Sequence, residues 1–174
     1  MIDKLGKSIL TIFGIGYFKY APGTVASFLT CIIWFTIDQY TKFSFRGAGK
    51  IFILVFLIVI LVYSIILIDK LYNKRDAKEI VIDEFIGQSI PLLAFSFRPK
   101  DFIPDCCSKF KNDPESIIWF VLAFILFRFF DILKPYPINI VDKKMKNGVG
   151  VMLDDIIAGI YSTIVIYIIY ALWF

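Results

Sequence analysis

The sequence predicts an all-α integral membrane protein, a helical bundle with four to five membrane-associated helices in a single domain that covers residues 1–174. Hydrophobic residues make up 59% of the chain and aromatic residues 18%, which is far too apolar for an ordinary soluble domain. The apolar residues are grouped into runs long enough for a helix to cross a hydrocarbon core of about 30 Å. Most of the charged residues lie between these runs, as they do in multi-pass membrane proteins.

Five apolar segments are predicted to be helices, in chain order 25–40, 51–68, 85–97, 117–133 and 153–174. The second carries no charge at all, and the last is free of charge after Asp155. The fourth is apolar until Arg128 and Asp131 near its end. The third would be only about 20 Å long as a helix and has Pro91 in its middle, so it could be kinked, tilted or re-entrant. Four full spans are therefore the alternative to five.

The distribution of basic residues predicts an orientation. If all five segments cross the bilayer, the N-terminal segment and the connections 69–84 and 134–152 lie on one side. This side carries eleven Lys and Arg residues, against seven on the other side. The positive-inside rule therefore places the first side in the cytoplasm. Because the same side holds nearly every candidate functional residue, the sequence predicts an acidic site that faces the cytoplasm.

Several classes of function are disfavoured by the composition. The net charge is +4, but the basic residues form no stripe that could follow a nucleic-acid backbone. The absence of His excludes a phosphohistidine intermediate and a His general base. Cys31 lies in an apolar run, and neither Cys106 nor Cys107 has an Arg six positions later, as a phosphocysteine mechanism would require. With no Asp-x-Asp pair either, metal-assisted chemistry on carboxylates remains.

The first group of candidate residues lies in the segment RDAKEIVIDEFIG. If this segment is helical, the spacing places Asp76, Glu79 and Asp83 along one face, with Glu84 adjacent. Carboxylates that lie close together repel unless a cation compensates them, and hard oxygen ligands beside phosphate chemistry suggest Mg²⁺. The alternative is a solvated face that the neighbouring Lys and Arg residues neutralise.

The second group lies where charges enter the end of an apolar helix, in FRFFDILKPYPINIVDKK. Ionisable groups at membrane depth cost about 2.5–3.5 kcal/mol each, so Arg128 and Asp131 are expected to be paired or functional. Arg128 could pair with Asp131 for a structural reason. Alternatively, Arg128 and Lys134 bind a phosphate, and Asp131 binds a metal or a water molecule.

Two glycine-containing segments complete the candidate site. In NGVGVMLDDIIAG, Gly148 and Gly150 are expected to form a flexible turn before two adjacent acids, Asp154 and Asp155. Adjacent residues point about 100° apart on a helix, so one acid is expected to face the site while the other caps or pairs. In GIGYFKYAPGTVAS, a loop before the first long helix could offer backbone N–H groups and the hydroxyl of Thr24 to an anion.

Four of these segments together resemble the phosphatidylglycerophosphatase A family over nearly the full chain. They are APGT (21–24), DAKEIVIDEFIG (76–87), FRFFDILKPYPI (127–138) and GVGVMLDDIIAG (148–159), in the order and approximate spacing of the family. The resemblance implies a Mg²⁺-dependent hydrolysis of phosphatidylglycerophosphate to phosphatidylglycerol and phosphate, at the inner face of a bacterial cytoplasmic membrane. The chain departs from the family pattern just ahead of APGT, at Lys19 and Tyr20, and in the connection 98–116.

The resemblance also suggests roles for individual residues, with a phospholipid as the substrate. Mg²⁺ is expected to be held by Asp83, Glu84 and one of Asp154 or Asp155, with Asp76 and Glu79 as alternative ligands, and Asp83 and Asp155 are counted among the catalytic residues. Arg128 and Lys134, with Thr24, are expected to bind the phosphate, and Asp131 to orient or deprotonate the attacking water. Two other interpretations stay open: a phosphatase for another phospholipid or an isoprenoid phosphate, and a small membrane transporter or structural protein.

Overall fold

The computed structural model describes residues 2–40, 48–72, 77–96 and 114–173. In these ranges the chain forms helices and no strand, which confirms the predicted all-α class. The helices are α1 (Ile2–Leu10), α2 (Pro22–Tyr40), α3 (Ala48–Leu71), α4 (Ile82–Ser96), α5 (Pro114–Leu133), α6 (Ile138–Lys144) and α7 (Gly148–Trp173). A short 3-10 turn, Ile15–Tyr17, lies between α1 and α2.

The five predicted apolar helices correspond to α2, α3, α4, α5 and α7. Both α2 and α5 begin at a proline, Pro22 and Pro114, because proline fits the first helical position, where its missing N–H has no intrahelical partner. The two short helices α1 and α6 were not predicted, because a search for apolar runs of membrane length passes over segments of nine and seven residues.

Helix α4 is the innermost helix and packs against α7, α2 and α5. Its residues Gln88, Pro91, Leu92 and Leu93 are buried. The indole N–H of Trp34 in α2 donates a hydrogen bond to Ser89 Oγ at 2.9 Å. The hydroxyl of Tyr167 in α7 donates to the carbonyl of Ala94 at 2.9 Å. Neighbouring helices therefore enclose α4 and bond to its polar groups, which explains how an apolar segment this short with an internal proline forms a regular element.

Glycines allow α4 and α7 to approach each other closely. A Cβ added to Gly87 of α4 would lie 2.7 Å from the carbonyl oxygen of Asp155 and 2.9 Å from its Cβ. A Cβ added to Gly159 of α7 would collide with the carbonyl oxygen of Gly87. Small residues at such a contact let two backbones meet, as they do between membrane helices. The first turn of α4 is thereby held beside Asp155.

The outer surface of the bundle is strongly apolar. On α3, large hydrophobic side chains such as Phe52, Val55 and Val59 are more than half exposed. Exposed apolar side chains also follow every fourth residue of α7, from Ile160 to Leu172. Two helices in the described part of the chain, Ile51–Leu71 and Gly148–Leu172, are long and apolar enough to cross a membrane. Such a continuous apolar surface is suited to lipid rather than water.

One predicted helical face is not formed. Residues 77–81 are not helical, and α4 begins only at Ile82, so Glu79 and Asp83 do not share a face of one helix. The N–H of Val81 donates instead to the carbonyl of Leu10 at 3.0 Å, and the side chains of Ile80 and Val81 are buried. The tertiary contact with the end of α1 therefore prevails over the helical spacing of the acids.

The predicted flexible turn at Gly148 and Gly150 is also wrong, because both glycines lie in the first turn of α7. The N–H of Gly148 donates to Asp69 Oδ1 of α3 at 2.7 Å, and that of Gly150 donates to Asn147 Oδ1 at 3.0 Å. A Cβ at Gly148 would lie 2.5 Å from the carbonyl oxygen of Ile65. Gly148 thus serves close packing against α3, and Gly150 serves close packing against the backbone of Met145. The start of α7 at Gly148 places Asp154 and Asp155 in the second turn of the helix.

Candidate active site

A cavity of about 310 Å³ lies at the end of the bundle where α2, α4 and α7 begin and α5 ends. Four separate segments of the chain line it. Eight of the residues singled out in the sequence are among the lining residues: Thr24, Asp83, Glu84, Arg128, Asp131, Lys134, Asp154 and Asp155. The fold thus brings together acids and bases that are up to 72 positions apart in the sequence, together with Thr24, which lies 131 positions before Asp155.

Three carboxylates form an acidic cluster in this cavity. Asp83, Glu84 and Asp155 each offer an oxygen atom, and these atoms lie within 4.8 Å of one another. Asp155 is buried, with 4% of its surface exposed. The backbone N–H of Glu84 donates to Asp83 Oδ1 at 3.1 Å, which fixes the orientation of the Asp83 carboxylate at the start of α4.

The first turn of α2 provides the space that Glu84 occupies. A Cβ added to Gly23 would collide with Glu84 Oε1. Glycine in the APGT segment therefore lets the carboxylate lie directly against the backbone of α2. Thr24, the next residue, lines the cavity and is partly buried. The APGT segment therefore makes room for Glu84, while its contact with an anion stays a prediction.

The acidic cluster fits a hard divalent cation. The other oxygen of Glu84, Oε2, is buried and has no hydrogen-bond partner in the described part of the chain. No Lys or Arg in the described residues forms an ion pair with any of the three carboxylates. Negative charges this close together, and partly enclosed, need a counter-charge. Carboxylate oxygens are the ligands that Mg²⁺ prefers, so the donor set suits this ion.

Arg128 forms the first cationic group of the cavity. Its Nη1 lies 2.7 Å from Asp131 Oδ2, one helical turn further along α5, and this confirms the pairing that the spacing suggested. Nη1 also donates to Ser27 Oγ of α2 at 3.4 Å. The Nε atom is buried and has no partner among the described residues. The guanidinium group is therefore oriented by Asp131 and Ser27 while one of its donors stays available for an anion.

Lys134 forms the second cationic group and bridges two elements. Its Nζ lies 2.8 Å from Asp142 Oδ1 in α6 and 2.7 Å from Asp154 Oδ2 in α7. Burial alone would lower the pKa of Lys134, but the hydrogen bonds and charges of Asp142 and Asp154 outweigh it and raise this pKa. The hydrogen bond and charge of Lys134 in turn lower the pKa of Asp142. Lys134 is therefore held as a cation at neutral pH.

The two adjacent acids at the start of α7 agree with the prediction only in part. Both line the cavity, whereas the helical geometry led us to expect only one to face the site. The expected pairing of one acid is confirmed, since Asp154 accepts a hydrogen bond from Lys134 Nζ at 2.7 Å. The two side chains point in different directions but into one concave space, so Asp154 holds the lysine while Asp155 joins the acidic cluster.

The two remaining candidate metal ligands are Asp76 and Glu79. Asp76 lies outside the described residues. Glu79 does not line the cavity, and its Oε1 accepts a hydrogen bond from the hydroxyl of Tyr72 at 2.8 Å. Of the cysteines, Cys31 is buried in α2 away from the cavity, while Cys106 and Cys107 lie outside the described residues.

Sequence reasoning missed four polar residues of the site. Ser27 contacts Arg128, Asp142 contacts Lys134, and Lys78 and Lys146 line the cavity. Asp142 lies eight residues after Lys134, across a helix end and two prolines, so helical periodicity could not connect the two. Ser27 gave a weak signal, because it lies one helical turn after Gly23. The two lysines were counted only as charges at a membrane surface.

Comparison with known proteins agrees with the resemblance seen in the four segments. A family model described as phosphatidylglycerophosphatase A matches residues 8–170. A phosphatidylglycerophosphatase A of Haemophilus influenzae is 38% identical over 158 residues, 89% of this chain and 82% of that protein. The one of Escherichia coli is 31% identical over 163 residues, 92% of this chain and 81% of that protein. A Bacteroides thetaiotaomicron protein, provisionally named a phosphatidylinositol-3-phosphatase, is 36% identical over 160 residues, 90% of this chain and 87% of that protein. No solved structure matches the chain.

Proposed function

The chain belongs to the phosphatidylglycerophosphatase A family, and from this premise we propose that it hydrolyses phosphatidylglycerophosphate to phosphatidylglycerol and inorganic phosphate. One observation carries the proposal. A cluster of three carboxylates and two oriented cations, Arg128 and Lys134, line the same cavity. A phosphomonoesterase needs both a group that binds the phosphate and a group that activates water, and this cavity offers candidates for each.

Arg128 and Lys134 bind the terminal phosphate of the substrate in this proposal. The bonds to Asp131 and Ser27 use Nη1 of Arg128, while Nε has no partner in the described residues. Nε and the neighbouring amino group can then bond two phosphate oxygens side by side. Lys134 uses two of its three N–H groups on Asp142 and Asp154 and keeps one for the phosphate. Thr24 lines the cavity and adds a hydroxyl donor.

Asp131 is the proposed acceptor of the proton from the attacking water. Its carboxylate contacts Arg128 and lies beside Asp155, between the phosphate-binding residue and the acidic cluster. Water attack on phosphorus forms a P–O bond while the bond from phosphorus to the glycerol oxygen breaks. The proton released by the water goes to Asp131, and the glycerol oxygen leaves with a proton from solvent. Arg128 holds Asp131 in position by its 2.7 Å ion pair.

Asp83, Glu84 and Asp155 are the residues proposed to hold Mg²⁺, and Asp155 is preferred over Asp154 because Lys134 occupies Asp154. A divalent ion bound there would supply positive charge next to the phosphoryl oxygens. Glu84 Oε2 is buried without a partner in the described residues, which supports Glu84 as one of the ligands.

We further propose that four to five of the helices are embedded in a bacterial cytoplasmic membrane, with the cavity facing the cytoplasm. The exposed apolar side chains of α3, α5 and α7 support the membrane location. The excess of Lys and Arg on the side of the bundle that holds the cavity supports the cytoplasmic orientation of the cavity. A headgroup phosphate at the surface of the inner leaflet would then lie at the level of the cavity.

A second candidate substrate follows from the Bacteroides thetaiotaomicron relative, whose provisional name is a phosphatidylinositol-3-phosphatase. Its identity to this chain, 36%, lies between those of the two phosphatidylglycerophosphatases, 38% and 31%. Both lipids carry a phosphomonoester on a polyol that a phosphodiester joins to diacylglycerol. The same cationic pair and acidic cluster would act on either phosphomonoester.

The test is phosphate release by the purified protein in detergent micelles, with Mg²⁺ or with EDTA. The substrates are phosphatidylglycerophosphate, phosphatidylinositol 3-phosphate and an isoprenoid phosphate. We expect release from phosphatidylglycerophosphate to need Mg²⁺ and to fall at least about a hundredfold in Asp83→Asn and Asp155→Asn. Glu79→Gln is the matched control, because it makes the same kind of change outside the cavity. Faster release from another of the three lipids would replace the substrate, and release without Mg²⁺ would refute the metal site.

A further inference from the structure

Two lysines of the cavity have no role in the hydrolysis proposed above. Lys78 precedes α4 and Lys146 precedes α7, and both line the cavity and are exposed. Neither forms an ion pair with any residue in the described ranges. Two ammonium groups without an ion pair among the described residues therefore border the same space as Arg128 and Lys134, the proposed phosphate-binding pair.

The position of these lysines separates them from other surface charges. They lie with Ala77 and Met145 on the wall of the cavity that the segments before α4 and α7 form. Asp142 also lines the cavity; the charge of Lys146 acts on it, but its ion pair, at 2.8 Å, is with Lys134. Lys143 and Lys144 belong to the same stretch of chain and are exposed as well, but they do not line the cavity. The positive-inside rule requires only that basic residues lie near the membrane surface. It does not explain why two of them line a cavity.

We propose that Lys78 and Lys146 form a subsite for the phosphodiester of the lipid substrate, next to the site that holds its phosphomonoester. The inference rests on the proposed function, because it applies to a lipid that carries both kinds of phosphate. Lysine ammonium groups bind phosphate oxygens as point charges, and at an exposed cavity wall they do so without the cost of burying an unpaired charge. Arg128 and Lys134, which carboxylates orient, then bind the phosphomonoester that is cleaved.

This arrangement makes the substrate choice testable. Phosphatidylglycerophosphate and phosphatidylinositol 3-phosphate have both a phosphodiester and a phosphomonoester. Phosphatidic acid has only the phosphomonoester, and phosphatidylglycerol has only the phosphodiester. A subsite for the phosphodiester should strengthen the binding of the first two lipids and of phosphatidylglycerol. It should contribute nothing to the binding of phosphatidic acid.

The experiment compares the full-length wild type with the double variant Lys78→Gln/Lys146→Gln in detergent micelles. Steady-state kinetics are measured with short-chain phosphatidylglycerophosphate and phosphatidic acid, and binding of short-chain phosphatidylglycerol is measured by titration calorimetry. We expect KM for phosphatidylglycerophosphate to rise about tenfold or more while kcat stays within about twofold, since charge-assisted contacts are lost from binding alone. Phosphatidylglycerol binding should weaken by a similar factor, and KM for phosphatidic acid should stay within about twofold.

The matched control is Lys143→Gln/Lys144→Gln, which removes the same charge from the same region outside the cavity. If this control raises KM as much as the test variant, or if KM for phosphatidic acid rises equally, a general surface charge explains the effect and the subsite is refuted. Unchanged binding of phosphatidylglycerol in the test variant also refutes it. The binding measurement needs no turnover, so it separates a failure of the subsite from a failure of the proposed hydrolysis.

Discussion

At the scale of single residues, the two adjacent acids of α7 divide two tasks between them. Asp154 accepts a hydrogen bond from Lys134, and Asp155 joins Asp83 and Glu84. Their side chains leave the helix about 100° apart, so one short stretch of chain reaches both the cationic and the acidic part of the cavity. The sequence indicated that both acids were candidates, but it could not assign them, because their partners are 20 or more positions away.

This division predicts different consequences for two otherwise equal substitutions. Asp155→Asn should raise the Mg²⁺ concentration needed for half-maximal phosphate release, because it removes a proposed ligand of the ion. Asp154→Asn should leave that concentration nearly unchanged and lower the maximal rate by about tenfold, because it weakens the hold on Lys134. Magnesium titrations of both variants, in parallel with wild type, measure the difference. An equal shift in the two titrations would contradict the assignment.

Lys134 and Asp142 predict an effect of pH on stability. Lys134 lowers the pKa of Asp142 in the folded protein, so folding favours the ionised carboxylate. The resulting stability is complete above the pKa of an unfolded Asp, about 4, and is lost as the pH falls through the lower pKa of the folded state. Asp142→Asn should lower Tm at pH 7 by up to about 4 °C, which corresponds to a loss of about 1 kcal/mol or less in the free energy of unfolding.

The measurement for Asp142 is thermal unfolding of wild type and Asp142→Asn in one detergent, from pH 7 down to pH 3. The difference in Tm between the two proteins should shrink as the pH falls, because acid protonates the wild-type carboxylate. A difference that stays constant or grows on acidification would show that Asp142 does not contribute through its charge.

At the scale of elements, the contact between α4 and α7 sets the distance between the acids that the two helices carry. Gly87→Ala would place a methyl group 2.7 Å from the carbonyl oxygen of Asp155 and 2.7 Å from Cε2 of Phe127. Since neither the helix backbone nor a buried Phe can yield easily, α4 should shift away from α7. We expect a loss of stability of about 1–3 kcal/mol and a fall in phosphate release of about tenfold or more.

The control for this contact is Gly6→Ala in α1. The added methyl group there would meet only the ends of the Leu67 and Leu71 side chains, at 3.0 Å, and these can move. Alanine also favours the helix more than glycine does, so stability and activity should change little. Similar losses in both variants would indicate a general sensitivity to Gly→Ala changes instead of a specific role of the α4–α7 contact.

Helix α3 offers a test of the membrane environment. Val59 lies in the middle of Ile51–Leu71 and is 59% exposed. Val59→Lys would place a charge at the lipid-facing centre of the helix, at a cost of about 2.5–3.5 kcal/mol. The membrane-bound fraction of the protein, measured by fractionation of cells, should fall strongly, whereas Val59→Ala should leave it unchanged. A fully membrane-bound Lys variant would contradict a lipid-facing α3.

The sequence allowed the apolar helices to be predicted well and the segments between them poorly. The length and composition of α3 and α7 predict these helices almost independently of the rest of the chain, because a long apolar segment can satisfy its own backbone groups as a helix. Residues 77–81 have a helical spacing of acids, yet their conformation depends on the hydrogen bond from Val81 to Leu10, about 70 positions away in the chain. The hydrophobic pattern of a segment contains no information about such a distant partner.

At the scale of the whole molecule, the cavity collects the ends of alternating helices. The starts of α2, α4 and α7 and the end of α5 all line it, and Asp69 near the end of α3 bonds to Gly148. Consecutive long helices therefore run in opposite directions, and one end of the bundle carries all the candidate catalytic groups. In a membrane the protein therefore has two possible orientations, one with the cavity facing the cytoplasm and one with the cavity facing the outside.

The orientation proposed here predicts how two introduced thiols respond to a reagent that does not cross membranes. In a variant with Cys106→Ser and Cys107→Ser, Lys143→Cys places a thiol on the exposed surface of α6, close to the cavity. A cysteine appended after Phe174 lies beyond the other end of α7, which at 26 residues and about 1.5 Å per residue is long enough to cross the bilayer. In intact cells the appended cysteine should react, and the thiol introduced by Lys143→Cys should react only after lysis, because the positive-inside rule keeps the lysine-rich end in the cytoplasm. The reverse pattern would place the cavity outside the cell, and equal reactivity of both thiols in intact cells would mean that α7 does not span.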